Sequence, residues 1–189
     1  MKKLPDSKTY KANSQPIEYL SEEEIKRLMK AMNDVRARAI IALFLNTGIR
    51  LIELTSLTVE AIDWEKKTLT VTGRLPRVIP INDALYEELA RWSKKRGDDP
   101  QPALFPSRRK KIPLTRRAIR QMIGKYSRRA GFGPRITGDI LRQTFAIRLF
   151  SEVDSSDKAA AILGWHSSGA ISRLSAGRRL ARSTMKLGQ

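Results

Sequence analysis

A chain of 189 residues with 37 lysines and arginines against 19 acids carries a net charge of +18, so it has the length for one well-cored domain and the charge of a polyanion binder, nucleic acid first. The absence of cysteine and the single histidine, His166, exclude a disulfide framework, a cysteine nucleophile and a multi-histidine metal site. No apolar run approaches the roughly 18 residues of a membrane span, and none follows Lys2 and Lys3, so neither an anchor nor a signal peptide is expected and the location reads as cytoplasmic, nucleoid-associated in a prokaryote.

Residues 1–17 are polar and basic, contain Pro5 and Pro16, and show no periodicity; they read as a flexible arm. Ser21 with Glu24 three residues on is a capping box, and Ile25, Leu28 and Met29 follow at helical spacing. A second helix is expected over about 34–46, with Ile40, Ile41, Leu43 and Phe44 in the core. Gly48 suits its end, because glycine alone takes the left-handed conformation without a Cβ penalty. Arg50 then opens a short helix to Leu57 on a bend packed from both sides. A guanidinium mounted that rigidly can hold a phosphate bidentately, although one exposed arginine among many is the plainer alternative.

Residues 59–64 read as a turn with apolar anchors, after which the period changes from 3.6 to 2. Residues 68–72 and 77–81 form a strand pair joined by Gly73-Arg74-Leu75-Pro76. Arg74 and Arg77 could enter a groove from that hairpin; a charged edge that resists aggregation would look the same. Asp83 is expected to cap the next helix, whose apolar stripe is Leu85, Leu89 and Trp92. A Pro-containing linker over 98–102 leads into Leu104-Phe105-Pro106.

Residues 107–138 hold 11 cations and no acid: Arg108, Arg109, Lys110, Lys111, Arg116, Arg117, Arg120, Lys125, Arg128, Arg129 and Arg135. Thr115 caps a helix there whose apolar side is Ile119, Met122, Ile123 and Tyr126, leaving the cations on the other faces. Such an imbalance points to contact with nucleic acid. The next helix, about 137–153, sets Arg142 among apolar neighbours that include Phe145, Ile147 and Leu149. A buried arginine needs an anion, either a phosphate or an internal carboxylate such as Asp139 at i−3. A shorter helix over 155–163 is closed by Gly164; Trp165, His166 and a basic tail over 176–189 follow.

In their order these motifs resemble the catalytic domain of the tyrosine recombinases, the phage-type integrases, over about residues 19–175. The resemblance rests on Leu20-Ser21-Glu22-Glu23-Glu24, Thr47-Gly48-Ile49-Arg50, Arg77-Val78-Ile79-Pro80, Leu104-Phe105-Pro106, Leu141-Arg142-Gln143-Thr144-Phe145-Ala146 and Ile162-Leu163-Gly164-Trp165-His166-Ser167-Ser168. It implies a mainly α fold with a small antiparallel β-sheet, double-stranded DNA as partner, and no cofactor, metal or small-molecule substrate. The core-binding domain that precedes the catalytic domain in longer members is not expected.

In that family two arginines and a hairpin lysine clamp the scissile phosphate, two further residues assist, and a C-terminal tyrosine attacks phosphorus to leave a 3′-phosphotyrosine. Arg50 and Arg142 match the two arginines. Arg74 falls at the lysine, and a guanidinium, which holds its proton far above neutral pH, makes a poor general acid. Asp139 stands where histidine is usual, and Trp165 or His166 matches the late histidine-or-tryptophan position. The nucleophile falls at Leu174 or Ser175; the tyrosines are Tyr10, Tyr19, Tyr86 and Tyr126. The expectation is therefore a DNA-binding protein that does not cleave alone, a regulator or accessory factor in recombination. It would pair with itself or with an active recombinase through its C-terminal segment. Alternatives are an enzyme completed by a tyrosine supplied in trans or by another nucleophile such as Ser175, and a basic RNA- or DNA-binding protein without a recombination role.

Overall fold

Residues 39–45 are apolar at every position, and a helix of that kind has to be enclosed. In the computed structural model, which describes residues 10–12, 15–107, 112–153 and 155–164, helix α2 (Val35–Thr47) is the enclosed element. Ala37 and every residue from Ala39 to Leu45 are buried. Its five largest apolar side chains, Ile40, Ile41, Leu43, Phe44 and Leu45, account for about 10 kcal/mol of burial, an upper figure because unfolded chains already hide some surface. Asp34 caps its start by accepting from the Arg36 and Ala37 N–H groups. Helices α4 (Asp83–Arg96) and α6 (Gly138–Glu152) are its main packing partners, with α5 (Arg116–Arg129) beside them.

The other elements close around this centre. Strands β1 (Tyr10–Ala12) and β2 (Gln15–Ile17) pair antiparallel, so a hairpin occupies part of the segment expected to be a flexible arm. Helix α1 (Glu22–Lys30) carries the capping box: Ser21 Oγ accepts from the Glu24 N–H at 3.2 Å, and Glu24 returns the bond to the Ser21 N–H at 2.9 Å. The Leu20 N–H donates to Thr144 Oγ1 at 3.0 Å, which fixes the entry to α1 against α6. Short helix α3 (Leu51–Thr55) follows α2 after a sharp bend.

The sheet has three strands rather than two. A 3-10 turn at Val59–Ala61 leads into β3 (Ile62–Asp63), which pairs with β4 (Thr68–Val71), and β4 pairs with β5 (Arg77–Pro80), all antiparallel. Two residues of alternation are too few to announce β3 against turn signals. Leu69, Val71 and Ile79 point into the core. The cap of α4 is also corrected: Asn82, not Asp83, accepts from the Leu85 N–H at 2.9 Å. Asp83 lies inside the first turn and takes Lys67 Nζ at 2.9 Å. Trp92 stacks on Phe105 and donates to the Leu104 carbonyl at 2.9 Å, tying the 98–106 connection to α4. A second, smaller core forms where Ala146, Leu149 and Phe150 of α6 meet Ala159 and Leu163 of α7 (Ser156–Leu163). The class is the mainly helical one with a small antiparallel sheet that the motif order implies. Among the described residues, no helix is long and apolar enough to cross a membrane.

Candidate functional site

Three helices meet at Gly48. Its φ of 57° is left-handed, and a Cβ there would lie 2.5 Å from Phe145 of α6 and 2.8 Å from Leu163 of α7. Glycine is therefore required twice, for the turn and for the approach of the two helices. The bend sends the chain straight into Arg50 at the start of α3.

Gly164 ends α7 in the same left-handed conformation. The last carbonyls of a helix lack intrahelical donors and form the negative end of its dipole. Here arginines supply the donors. Arg77 Nε donates to the Ile162 carbonyl at 2.9 Å, Arg142 Nη2 to Leu163 at 2.7 Å, and Arg50 Nη2 to Gly164 at 2.8 Å. Arg142 Nη1 also donates to the Gly48 carbonyl. Three guanidiniums from β5, α6 and the α2–α3 bend thus converge on three consecutive carbonyls.

Glu53, one turn into α3, is the carboxylate of this cluster. Arg77 grips it with two bonds of 2.9 Å, and Arg50 Nη1 reaches Oε1 at 3.0 Å. Its Oε2 also accepts the Arg50 backbone N–H at 2.8 Å, as the third residue of a helix does in a capping box. Burial alone would raise the Glu53 pKa; the bonds from Arg77 and Arg50 outweigh it and hold the carboxyl at about 2. Arg142 is lowered to about 10, first by burial and then by the neighbouring Arg50 charge, with Glu53 opposing. It remains a cation at neutral pH. Three arginines against one carboxylate leave a net charge of +2 in a half-enclosed site. Arg50 is its accessible member, with 31% of its side chain exposed against 7% for Arg77. The arrangement concentrates positive charge that is open to solvent chiefly at Arg50.

The sequence-derived residues sort as follows. Arg50 and Arg142 come together, as expected. Arg142 finds a third solution beside phosphate and carboxylate: the carbonyl oxygens at a helix end. Asp139 is exposed in the first turn of α6 and acts on Arg142 electrostatically, as the last of the named influences. Arg77, expected to reach outward from the hairpin, is turned inward and held by Glu53. Arg74 is exposed at the hairpin tip. Trp165, His166, Leu174, Ser175, the tail, and Arg108, Arg109, Lys110 and Lys111 lie outside the described residues. Glu53 is the residue that sequence reasoning missed. Its signal was present: an acid three residues after Arg50, at the helix position where carboxylates turn back to the preceding backbone.

A cationic surface flanks the cluster. Arg116, Arg117, Arg120, Lys125 and Arg128 of α5 are exposed and make no ion pair among the described residues. Elsewhere arginines are matched: Arg38 and Arg91 with Glu88, Arg135 with Glu24, Arg148 with Glu22. Arg36, Lys95 and Lys125 line a shallow cleft beside α5, together with Trp92 and Tyr126.

This fold is that of a known class. The chain belongs to the phage integrase family, whose model matches residues 18–174. It is 35% identical over 136 residues to the tyrosine recombinase XerA of Pyrococcus furiosus, covering 69% of this chain and 47% of that protein. It is likewise 35% identical over 142 residues to the tyrosine recombinase XerC of Erythrobacter litoralis, covering 69% of this chain and 45% of that one. The chain spans about half the length of these curated relatives. Among solved structures, a XerA recombinase superposes with a TM-score of 0.77 at 28% identity, covering 88% of this chain and 65% of that one. The Tn1549 transposon integrase, solved with transposon right end DNA, shares the fold with a TM-score of 0.72 at 21% identity, covering 86% and 62%.

Proposed function

We propose that this chain binds double-stranded DNA, seats a backbone phosphate at Arg50 and Arg142, and does not cleave DNA alone. It acts as an accessory or regulatory factor at sites of recombination. The observation that carries the reading is the convergence of Arg50, Arg77 and Arg142 beside a helix whose exposed cations lack acids. Relatives that recombine DNA, and a structural neighbour solved on DNA, support the choice of polyanion. Leu174 and Ser175, where the family's tyrosine falls, together with Arg74 in place of lysine and Asp139 in place of histidine, argue against a phosphotyrosine step by this chain.

The test is capture of fragmented host DNA on the purified protein at roughly 0.15 M salt, where nonspecific phosphate contacts are already weakened. Half of the sample is denatured before sequencing. Enriched fragments sharing a site and released by denaturation are the expected result. DNA that stays attached after denaturation would establish a covalent intermediate and overturn the noncleaving assignment. A second reading follows from the intact cluster: the chain completes an assembly in which a relative supplies tyrosine. Strand cleavage appearing only in a mixture with such a relative would select it.

A further inference from the structure

A cleft of about 280 Å³ opens where the start of α2, the last turns of α4 and the second half of α5 meet. It lies at the end of α2 remote from Gly48, and the thirteen residues of that helix span about 20 Å. The cleft is therefore no part of the arginine cluster. Its floor is apolar, made by Val35 and the buried rings of Trp92 and Tyr126. The polar atoms of both rings are engaged elsewhere: the Trp92 indole N–H donates to the Leu104 carbonyl, and the Tyr126 hydroxyl to Asn33 Oδ1 at 3.4 Å.

The rim is cationic. Arg36, Lys95 and Lys125 line it against the single acid Asp34, three charges to one, a net of +2. Arg129 adjoins it, with Nη1 donating to Asn33 Oδ1 at 3.1 Å. Lys95 and Lys125 are exposed, and neither has a carboxylate among the described residues, whereas Lys66 is paired with Asp63 and Lys67 with Asp83. Lys125 Nζ stands instead 5.5 Å from the Tyr126 ring. This flank of α5 is not the one that carries Arg120. Arg129 follows Arg120 by nine residues, about two and a half turns, so the two side chains leave the helix on opposite sides.

The lining selects the chemistry of its occupant. Unpaired lysines around a recess call for an anion. The phosphates of a duplex lie on a convex surface, and a floor of rings and a valine replaces none of the water they would lose there. The Asp34 carboxylate in the same lining repels a phosphate dianion, whereas a peptide brings N–H donors along with its acids. An acidic peptide segment supplies carboxylates for the lysines and apolar side chains for the floor. We infer that this cleft docks an acidic segment of a partner protein, its carboxylates on Lys95 and Lys125 and its apolar side chains over Trp92 and Tyr126. The inference goes beyond the DNA-binding reading and does not depend on it.

The experiment uses the full chain and two double variants, Lys95→Gln with Lys125→Gln and Arg117→Ala with Arg120→Ala. Each removes two exposed charges, so a general loss of attraction is the same in both and only the position differs. Fluorescence anisotropy at roughly 0.15 M salt reads three labelled probes: a short peptide of alternating glutamate and leucine, its glutamine–leucine counterpart, and a duplex of mixed sequence. Thermal unfolding shows that each variant is folded. The parent is expected to bind the acidic peptide and not the neutral one. The lysine variant should bind the acidic peptide about tenfold more weakly or worse, while the arginine variant stays within about twofold of the parent. Equal weakening in the two variants would overturn the inference, since the peptide would then be adsorbing to the basic surface at large. A parent that does not distinguish the two peptides would also overturn it. Duplex binding that falls as far in the lysine variant as in the arginine variant would assign the cleft to nucleic acid instead. Failure of the parent to bind the duplex would count against the DNA-binding reading alone.

Discussion

Substituting Glu53 by glutamine deletes one negative charge while keeping the shape of the side chain between Arg50 and Arg77. In the fold the carboxyl is held at about 2, whereas its ordinary value is 4.5. At neutral pH that difference stabilises the folded chain by about 3 kcal/mol. The same order follows independently from the cost of leaving a buried cation such as Arg77 without its carboxylate, about 3–5 kcal/mol. With an m-value of about 2 kcal/mol/M for a domain of this size, the urea midpoint of Glu53→Gln should fall by about 1.5 M at pH 7. The sign with pH is fixed. A depressed carboxyl contributes its full stability above 4.5 and loses it as the pH falls from 4.5 toward 2. Paired urea titrations at pH 7 and near pH 3 should therefore show the parent losing more stability on acidification than the variant, so that the gap between them narrows. A gap that stays the same at both pH values, or a loss below about 1 kcal/mol at pH 7, would refute the assignment of Glu53 as the charged centre of the cluster.

Gly48→Ala meets both a left-handed φ and a Cβ 2.5 Å from Phe145, and should cost about 3 kcal/mol or more by chemical denaturation. Arg142→Ala strands the Gly48 and Leu163 carbonyls, so a loss of about 2–3 kcal/mol is expected; hydrogen exchange should rise over residues 156–164 while α2 stays protected. Asn82→Ala should cost about 1 kcal/mol as a lost helix cap, whereas Asp83→Ala should leave stability nearly unchanged, a comparison read directly from thermal midpoints. Arg117→Ala and Arg120→Ala together should reduce the salt slope of duplex binding by about two, since each removes one phosphate contact.

Much of this architecture was legible because local physics and packing agree. The capping box at Ser21, the apolar run of α2, the glycine closing it and the buried Ile40, Ile41, Leu43 and Phe44 all follow from period and cap chemistry alone. Arg50 and Arg142 were legible as a pair from the order of the motifs, and they do converge. What stayed hidden was set by contacts across long sequence separations. Arg77 shares its hairpin with Arg74 and looks the same in one dimension, yet one is outside and the other is bound to Glu53. Only the docking of β5 against α3 and α7 separates them. Arg142 was weighed between two anions because a chain read in order does not reveal that a helix terminus 21 residues later will present its carbonyls. The neighbouring cap was misplaced by one residue for a smaller reason: asparagine and aspartate are equivalent caps by chemistry, and the register of the first turn chooses between them.

The three carbonyls at the end of α7 also set a schedule for synthesis. Ile162 is made 85 residues after the Arg77 it serves, and Gly164 114 residues after Arg50. At ribosomal speeds of about 5–20 residues per second, these arginines wait on the order of ten seconds for their acceptors. During that interval α2, the sheet and α4 have all emerged, but the arginines lack the helix end that orients them. The cluster is consequently a late product of translation, and a chain that ends between Arg142 and Ile162 would hold Arg50, Arg77 and Arg142 without the carbonyls that orient them.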